Sequence, residues 1–477
     1  MGHSATTAQK GTQMQPPEEP ASDGIANLQP LWESRKKEQK AWYWYDWANS
    51  AFVTTTAAVL FSPYLTSVAE NAACGFSSSD DRKCETPLHV LGISVSAGSL
   101  VFYLVTLSTI LSALILPVVG AAADRSPRKV TLMSRSAWSG AVAAMAMFFV
   151  AGTNWQLGAL LLVVATLFLG ASLVIYDAIL CEIALPDERD AVSSRGWALG
   201  YLGGGLLLAA NFGLLTVMSD NTELAVRISL LSAGVWWAVF TFIPYLGVKN
   251  RPPVNVVPES GGLVRESFGQ LWTTLKDLRG YRMTMLFLVG YLFYNDGIQT
   301  VIYAASVYGE FQLGFEKSTV LSAFLVVQFV GIGGALVFGR IARRTGAHRI
   351  IMIGLMIWIL VVIAGYFTPA GNFPLFLALA VGIGFVLGGT QALSRSFFSQ
   401  LIPRGREAEY FSLYQAAERG TSWVGTLIFG VVHQVTGSYR PALLALLLLF
   451  VLGLAFLSRV NVRQGIEEAG NPLPQVV

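Results

Sequence analysis

Gly120-Ala-Ala-Ala-Asp124-Arg125-Ser-Pro-Arg128-Lys129 follows one long apolar segment. Gly339-Arg-Ile-Ala-Arg343-Arg344-Thr-Gly346-Ala-His-Arg349 follows another, much later in the chain. The two share a glycine, then an arginine (Arg125 or Arg344), then a turn residue (Pro127 or Gly346), then further basic residues. A second pair lies just beyond. Pro186-Asp-Glu-Arg189-Asp190-Ala191 matches Pro403-Arg-Gly-Arg406-Glu407-Ala408. The intervals Gly120 to Gly339 and Pro186 to Pro403 agree within two residues. A third match, Asp46-Trp-Ala-Asn49-Ser50 with Asp296-Gly-Ile-Gln299-Thr300, is more widely spaced. The surplus fits a long polar loop near 70–92, which the second half lacks. Such self-similarity marks an internal repeat.

What is repeated is membrane-spanning. Of 477 residues, 53% are hydrophobic and only 13% charged, about half the roughly 25% charge of soluble domains. Apolar segments fall at 41–68, 96–123, 131–152, 156–181, 196–218, 226–248, 283–309, 318–339, 349–368, 373–396, 408–434 and 438–458. Each is long enough to cross a hydrocarbon layer of roughly 30 Å. Charge placement supports the division. With the N-terminus inside, most of the 32 Lys and Arg residues lie on inner connections. Arg82, Lys83, Arg227, Lys317 and Arg440 fall outside, and Arg419 stands deep within a span. This is the positive-inside pattern.

The reading is therefore an all-α integral membrane protein of twelve transmembrane helices in two pseudo-symmetric six-helix bundles. Residues 1–40 form a cytosolic, mostly disordered tail, polar and without a signal sequence. Residues 41–248 form the first half and 282–463 the second. Between them, 249–281 is a cytosolic linker. It starts with prolines and continues with Val264, Phe268, Leu271, Trp272, Leu275 and Leu278 at helical spacing, an interfacial amphipathic helix. Residues 464–477 are a second cytosolic tail. Cys74 and Cys84 share the outer loop. They are either free thiols or a disulfide worth roughly 2–3 kcal/mol. Cys181 reads as a packed thiol.

Parallel halves place a site between them, on an axis along the membrane normal. This resembles the major facilitator superfamily. Gly120–Lys129 is similar to that superfamily's loop signature, G-x-x-x-D-[RK]-x-[GP]-[RK]-[RK]. The second copy departs from it, with Arg343 in place of the acid. Three stretches narrow the resemblance: Tyr45-Asp46-Trp47-Ala48-Asn49-Ser50-Ala51-Phe52, Ala198-Leu199-Gly200-Tyr201-Leu202-Gly203-Gly204 and Gly389-Thr390-Gln391-Ala392-Leu393-Ser394-Arg395-Ser396. They resemble the vacuole-effluxer-like family, typified by a vacuolar amino-acid exporter of yeast related to autophagy. The resemblance implies a major facilitator fold and a secondary transporter, with amino-acid export as the best-known activity.

Charges inside a span cost about 2.5–3.5 kcal/mol or more and usually line a cavity. Asp46, Asn49 and Ser50 share one helix face. Asp296, Gln299 and Thr300 repeat the spacing. Either the two stripes flank a substrate path, or each Asp caps a helix or pairs structurally. Tyr414 and Glu418 lie on another polar stripe, with Arg419 adjacent. Glu418 and Arg419 either contact a zwitterionic substrate or belong to structural ion pairs. The expected substrate and proton path is Asp46, Asn49, Asp296, Gln299, Tyr414, Glu418 and Arg419. The expected inner gate is Gly120, Asp124, Arg125, Arg128, Tyr176, Asp177, Gln391, Ser394 and Arg395. There Asp124 meets a helix N-terminus or an Arg of the other half, while Arg125 and Arg128 serve the gate or topology alone. Gly200, Gly203, Gly204 and Gly205 read as a close-packing surface. The aromatics at 42–47 form an interfacial belt or line the substrate.

No catalytic constellation, metal-ligand spacing or cofactor motif is apparent, and neither a nucleic-acid partner nor enzymatic activity is expected. The partners expected are a small-molecule substrate, a coupling proton and the bilayer, with the monomer as the working unit. The location expected is a bacterial inner membrane with both termini cytoplasmic. Another metabolite or drug-like solute, a non-transporting sensor and a lipid-modifying membrane enzyme are the competing functions.

Overall fold

A computed structural model describes residues 22–77, 84–90, 92–254, 276–420 and 422–477. Helix α1 (Ser22–Phe52) passes into a π-helical stretch, Val53–Leu60, and on into α2 (Phe61–Cys74). The wide turns fall on Val53-Thr54-Thr55-Thr56, a β-branched run that crowds the preceding turn of an α-helix. A short hairpin follows, β1 (Pro87–Val90) and β2 (Ile93–Ser96). The first half continues with α3 (Leu100–Arg125), α4 (Lys129–Ala146), α5 (Trp155–Ile183), α6 (Arg189–Val217) and α7 (Thr222–Gly247). The second half contains α8 (Arg282–Val307), α9 (Lys317–Thr345), α10 (Ala347–Phe367) and α11 (Phe373–Gln400). It closes with α12 (Glu407–Gly420), α13 (Ser422–Thr436), α14 (Tyr439–Ala445), α15 (Leu447–Leu457) and α16 (Val462–Glu468).

Among the described residues, 10 helices are long and apolar enough to span a bilayer. The expected third and eleventh spans fall short of that measure. Helix α4 carries Lys129 and Arg135, which dilute its hydropathy. The eleventh is described in two parts, α12, which is polar, and α13, with residue 421 between them outside the described residues. Residues 22–40, expected within a mostly disordered tail, extend α1 instead. Glu38 and Gln39 are buried there. Glu38 accepts from the Arg251 guanidinium at 2.9 Å, and Gln39 donates to the Ile183 carbonyl at 2.9 Å. These contacts give the helix a tertiary partner that local polarity does not reveal. The amphipathic helix read at 264–279 lies largely outside the described residues.

Short polar signals set the helix ends. Asn221, Asn372 and Asn461 accept backbone N–H bonds at the starts of α7, α11 and α16, which satisfies otherwise orphaned donors. Gly346, at φ +87°, makes the tight turn from α9 to α10. Pro127 occupies the matching place between α3 and α4. Glycine reaches a positive φ without steric cost, and proline fixes φ near −65°.

Helices α1, α6 and α7 pack together, as do α3, α4 and α5 and, in the second half, α9, α10 and α11. The halves meet where α3 and α5 touch α12 and where α6 touches α9 and α11. Glycines permit the closest of these contacts. A Cβ on Gly120 would collide with the backbone of Ala408 on α12, and one on Gly339 with Ser194 on α6. Gly200, Gly203 and Gly204 press α6 against Ser50 and Trp47 of α1 and Thr54 of the π-helical stretch. Small residues allow such approach in lipid, where packing rather than hydrophobicity drives association.

A methyl at Gly203 would sit 2.8 Å from the Trp47 carbonyl oxygen, a backbone atom that cannot rotate aside. Gly203→Val is expected to destabilise the protein by about 1–3 kcal/mol. Gly213, with nothing within 4 Å, should accept alanine without loss. Thermal unfolding of both variants in detergent checks this, and equal midpoints would contradict it.

Candidate functional site

The centre of the molecule holds a buried guanidinium. Arg395 lies on α11, in the run Gly388-Gly389-Thr390-Gln391-Ala392-Leu393-Ser394, and is only 3% exposed. The glycines bring α11 against Gly331 and Phe338 of α9, so little room remains beside the charge. Its five N–H groups find five acceptors. Nη2 donates to Asp46 Oδ2 at 3.0 Å and to the Ser193 carbonyl at 3.1 Å. Nη1 donates to Asp46 Oδ1 at 3.3 Å and to Asp177 Oδ1 at 3.4 Å. Nε donates to Ser193 Oγ at 2.9 Å. Asp46 belongs to α1, Asp177 to α5 and Ser193 to α6, so one side chain of the second half grips three helices of the first.

The surroundings hold these groups in place. Tyr176 donates to Asp46 Oδ2 at 2.8 Å, and Gln415 of α12 donates to Asp177 Oδ2 at 2.9 Å. Trp42, Tyr176 and Trp197 face the guanidinium at 4.9, 5.4 and 5.5 Å, a cation–π setting. Trp42 stacks on Tyr176 at 4.2 Å and donates its indole N–H to the Tyr176 carbonyl at 2.9 Å. Trp42 and Tyr45 are therefore neither belt nor lining but packing for the ion cluster. Gly196 leaves the space that the Asp46 carboxylate fills.

This cluster is the floor of a cavity of about 330 Å³ between the halves. Asn49, Gln391, Gln415 and Glu418 continue the polar floor. Leu173, Val301, Phe324, Val362, Phe376 and Ile383 are among the apolar walls. The cavity rises from Arg395 towards Gly365 and Tyr308, near the opposite ends of α10 and α8. At that end Cys74 and Cys84 form a disulfide, Cα–Cα 5.8 Å.

The other face, here the tail face, carries the start of α1 and all of α16, and it is shut. Asp124 accepts N–H bonds from Ala408 at 3.1 Å and Glu409 at 2.9 Å. Of the two partners the sequence offers Asp124, the structure supplies the helix N-terminus, where the α12 dipole favours a carboxylate. Lys129 lies 3.2 Å from Asp124 and 2.9 Å from Glu182, almost fully buried. Arg189 donates to the Ser399 carbonyl at 2.6 Å and Ser193 to the Ala392 carbonyl at 2.7 Å, both across the halves. The last residues add a strap. Asn471 donates to the carbonyls of Gln400 and Ile402 at 2.9 and 2.7 Å, and Gln475 N–H donates to Asp187 at 2.7 Å.

The expected site residues divide accordingly. Asp46, Asn49, Asp177, Gln299, Gln391, Arg395, Tyr414 and Glu418 line the cavity. Asp296 does not. Its carboxylate accepts the Gly425 N–H of α13 at 2.8 Å, within the second half. Ser394 bonds to Tyr294 of α8 at 2.7 Å, inside the second half. Tyr176 acts through Asp46. Gly120 and Asp124 lie on the tail-face contact, whereas Arg128 is exposed. The side chain of Arg419 lies outside the described residues. No sequence signal assigns a gate role to Arg189, Ser193 or Asn295, whereas Lys129 closes the loop motif and shares the gate-or-topology reading of Arg125 and Arg128. Asn295, which accepts from Gln391 at 2.9 Å, adjoins Asp296 but carries no spacing signal.

Residues 34–470 match the family model described as vacuole effluxer Atg22 like. The chain is 28% identical over 447 residues to the uncharacterized MFS-type transporter YxiO of Bacillus subtilis (strain 168), covering 92% of this chain and 98% of that one. It is 26% identical over 536 residues to autophagy-related protein 22 of Pyricularia oryzae, covering 93% and 78%. Its fold is similar to that of the proton:xylose symporter XylE, with a TM-score of 0.66, 12% identity and coverage of 90% and 96%.

Cys181 on α5 offers a native reporter of the tail-face contact. Its thiol meets the Ser399 carbonyl of α11 at 3.9 Å, and the other two cysteines are bonded. Asp124→Asn and Arg395→Ala should each speed alkylation of Cys181 several-fold, while Arg128→Gln should not. Removing Arg395 strands two buried carboxylates, so stability should also fall by about 3–5 kcal/mol. Unchanged labelling in both variants would dissociate these residues from closure.

Proposed function

The chain belongs to the Atg22-like vacuole effluxer family and is a membrane transporter of the major facilitator type; on that premise we propose that it exports amino acids by alternating access. The observation that carries this reading is the Arg395 cluster. It sets both signs of charge on the floor of a cavity that divides two sets of helices. A zwitterionic solute needs both signs. Its ammonium group competes with Arg395 for Asp46 and Asp177, and its carboxylate competes with those residues for Arg395. The apolar walls receive its side chain.

Exchange of partners links occupancy to movement. With Arg395 bound to Asp46 and Asp177, the tail face stays closed. A substrate or a proton that weakens that pairing lowers the cost of separating the halves. It thereby shifts the balance between conformations by its differential affinity for them. Asp46 and Asp177 share one guanidinium, which makes them the sites for a coupling proton in this scheme, in place of Asp296. Residues 41–248 and 282–463 act as the two moving bodies, with Asp124 on the α12 N-terminus and the Asn471–Gln475 strap as further closures. The chain works as a monomer in a bacterial inner membrane, with the tail face towards the cytoplasm, in keeping with the arginines gathered there. Export of another metabolite or drug-like solute uses the same device.

Flux in proteoliposomes tests the reading. Labelled amino acids should move down an imposed gradient, and Asp46→Asn or Arg395→Ala should cut the rate at least roughly tenfold, one such step being about 1.4 kcal/mol. No flux of any amino acid under a proton gradient of either sign would overturn the substrate class. Full flux in Asp46→Asn would remove Asp46 from the mechanism.

A further inference from the structure

A shallow groove opens on the outer flank of α10 and α15, away from the central cavity. Two facing stripes form its walls. Arg349, Met352, Ile353 and Met356 come from α10, and Val451, Leu454, Ala455 and Ser458 come from α15 and the residue after it. Each set follows i, i+3, i+4, i+7 spacing and so occupies one helix face. The helices run antiparallel. Arg349 and Ser458 therefore share the tail-face end, while Met356 and Val451 lie deepest. Seven residues climb roughly 10 Å along the membrane normal, so the groove has a polar mouth and an apolar stem. The small side chain of Ala455 keeps the stem hollow.

The mouth is held in position and carries unneutralised charge. His348 Nε2 lies 2.8 Å from the Leu457 carbonyl oxygen, which ties the ends of α10 and α15 together just beside Arg349. Arg349 is exposed, as are Arg459 next to Ser458 and Arg343 and Arg344 at the end of α9. Among the described residues none of these four takes part in an ion pair, whereas Arg463 nearby in sequence pairs with Glu467 at 3.7 Å.

We propose that this groove binds an anionic phospholipid of the tail-face leaflet, one acyl chain lying along the Met356–Val451 stem and the phosphate resting on Arg349 and Arg459. A free phosphate would leave the stem empty. A zwitterionic lipid brings its own cation and gains less from unpaired arginines, and basic pockets between helices on the cytoplasmic side hold anionic head groups. The guanidinium fork suits phosphate oxygens.

Native mass spectrometry of the intact, delipidated protein tests this with phosphatidylglycerol and phosphatidylcholine of matched acyl chains. Phosphatidylglycerol should be retained preferentially, by roughly fivefold for each arginine engaged. The preference should vanish in Arg349→Ala/Arg459→Ala, which alters exposed side chains only. It should also vanish in Ala455→Trp, which fills the stem and leaves the arginines. Arg463→Ala should retain it, and millimolar inorganic phosphate should not displace the lipid. Equal retention of the two lipids by the wild type would overturn the proposal. So would wild-type preference in the double arginine variant or in a monodisperse Ala455→Trp protein. Loss of the preference in Arg463→Ala would assign it to diffuse charge on the face, and displacement by phosphate to a free-anion site.

Discussion

A guanidinium buried where four helices meet has to be neutralised where it stands. Arg395 can occupy the middle of this protein only because Asp46, Asp177 and the Ser193 hydroxyl and carbonyl meet every one of its N–H groups. The same requirement draws α1, α5 and α6 to one point on α11 and determines where the cavity ends. Desolvation makes such a cluster expensive to leave half-made. Its partners must therefore stay together or be replaced by something that carries the same charges. That constraint turns a packing feature into a device that responds to a solute.

The repeat supplies a frame that the two halves then use differently. Gly120 lets α3 close on the start of α12, and Gly339 lets α9 close on the start of α6. Both junctions are close, the first against the Ala408 backbone and the second against the Ser194 side chain. The charges differ. Asp124 takes two N–H bonds from α12, whereas its counterpart Arg343 is exposed. A cation facing the positive end of a helix would be repelled. The α6 junction instead relies on Arg189, which bonds to the Ser399 carbonyl. Asp46 and Asp296 show the same divergence. One meets a guanidinium, the other the backbone N–H of Gly425.

Much of this was legible in the chain. Long apolar segments, the side on which arginines gather and the repeated glycine-and-arginine loops pointed to the fold, because each expresses a local rule of helices in lipid. Asp46, Asp177, Gln391 and Arg395 stood out as polar groups inside spans. What could not be read was that they meet. Asp46 and Arg395 are 349 positions apart, and no spacing rule connects residues on helices from different halves. Asp296 is equally conspicuous in sequence but bonds to Gly425 instead of lining the cavity, since identical i, i+3, i+4 patterns do not say which way a helix face turns.

The sequence by itself therefore determined that the chain lies in a membrane, that its halves are related and which polar side chains lie within the spans. Helical periodicity, hydrophobicity and charge asymmetry are carried by neighbours along the chain. Only the tertiary structure decided which charge answers which and where the cavity closes. It also decided how a polar N-terminal segment is anchored as helix through the buried Glu38 and Gln39. Neutralising a buried charge is a problem of three-dimensional proximity, and proximity between distant helices is settled by packing.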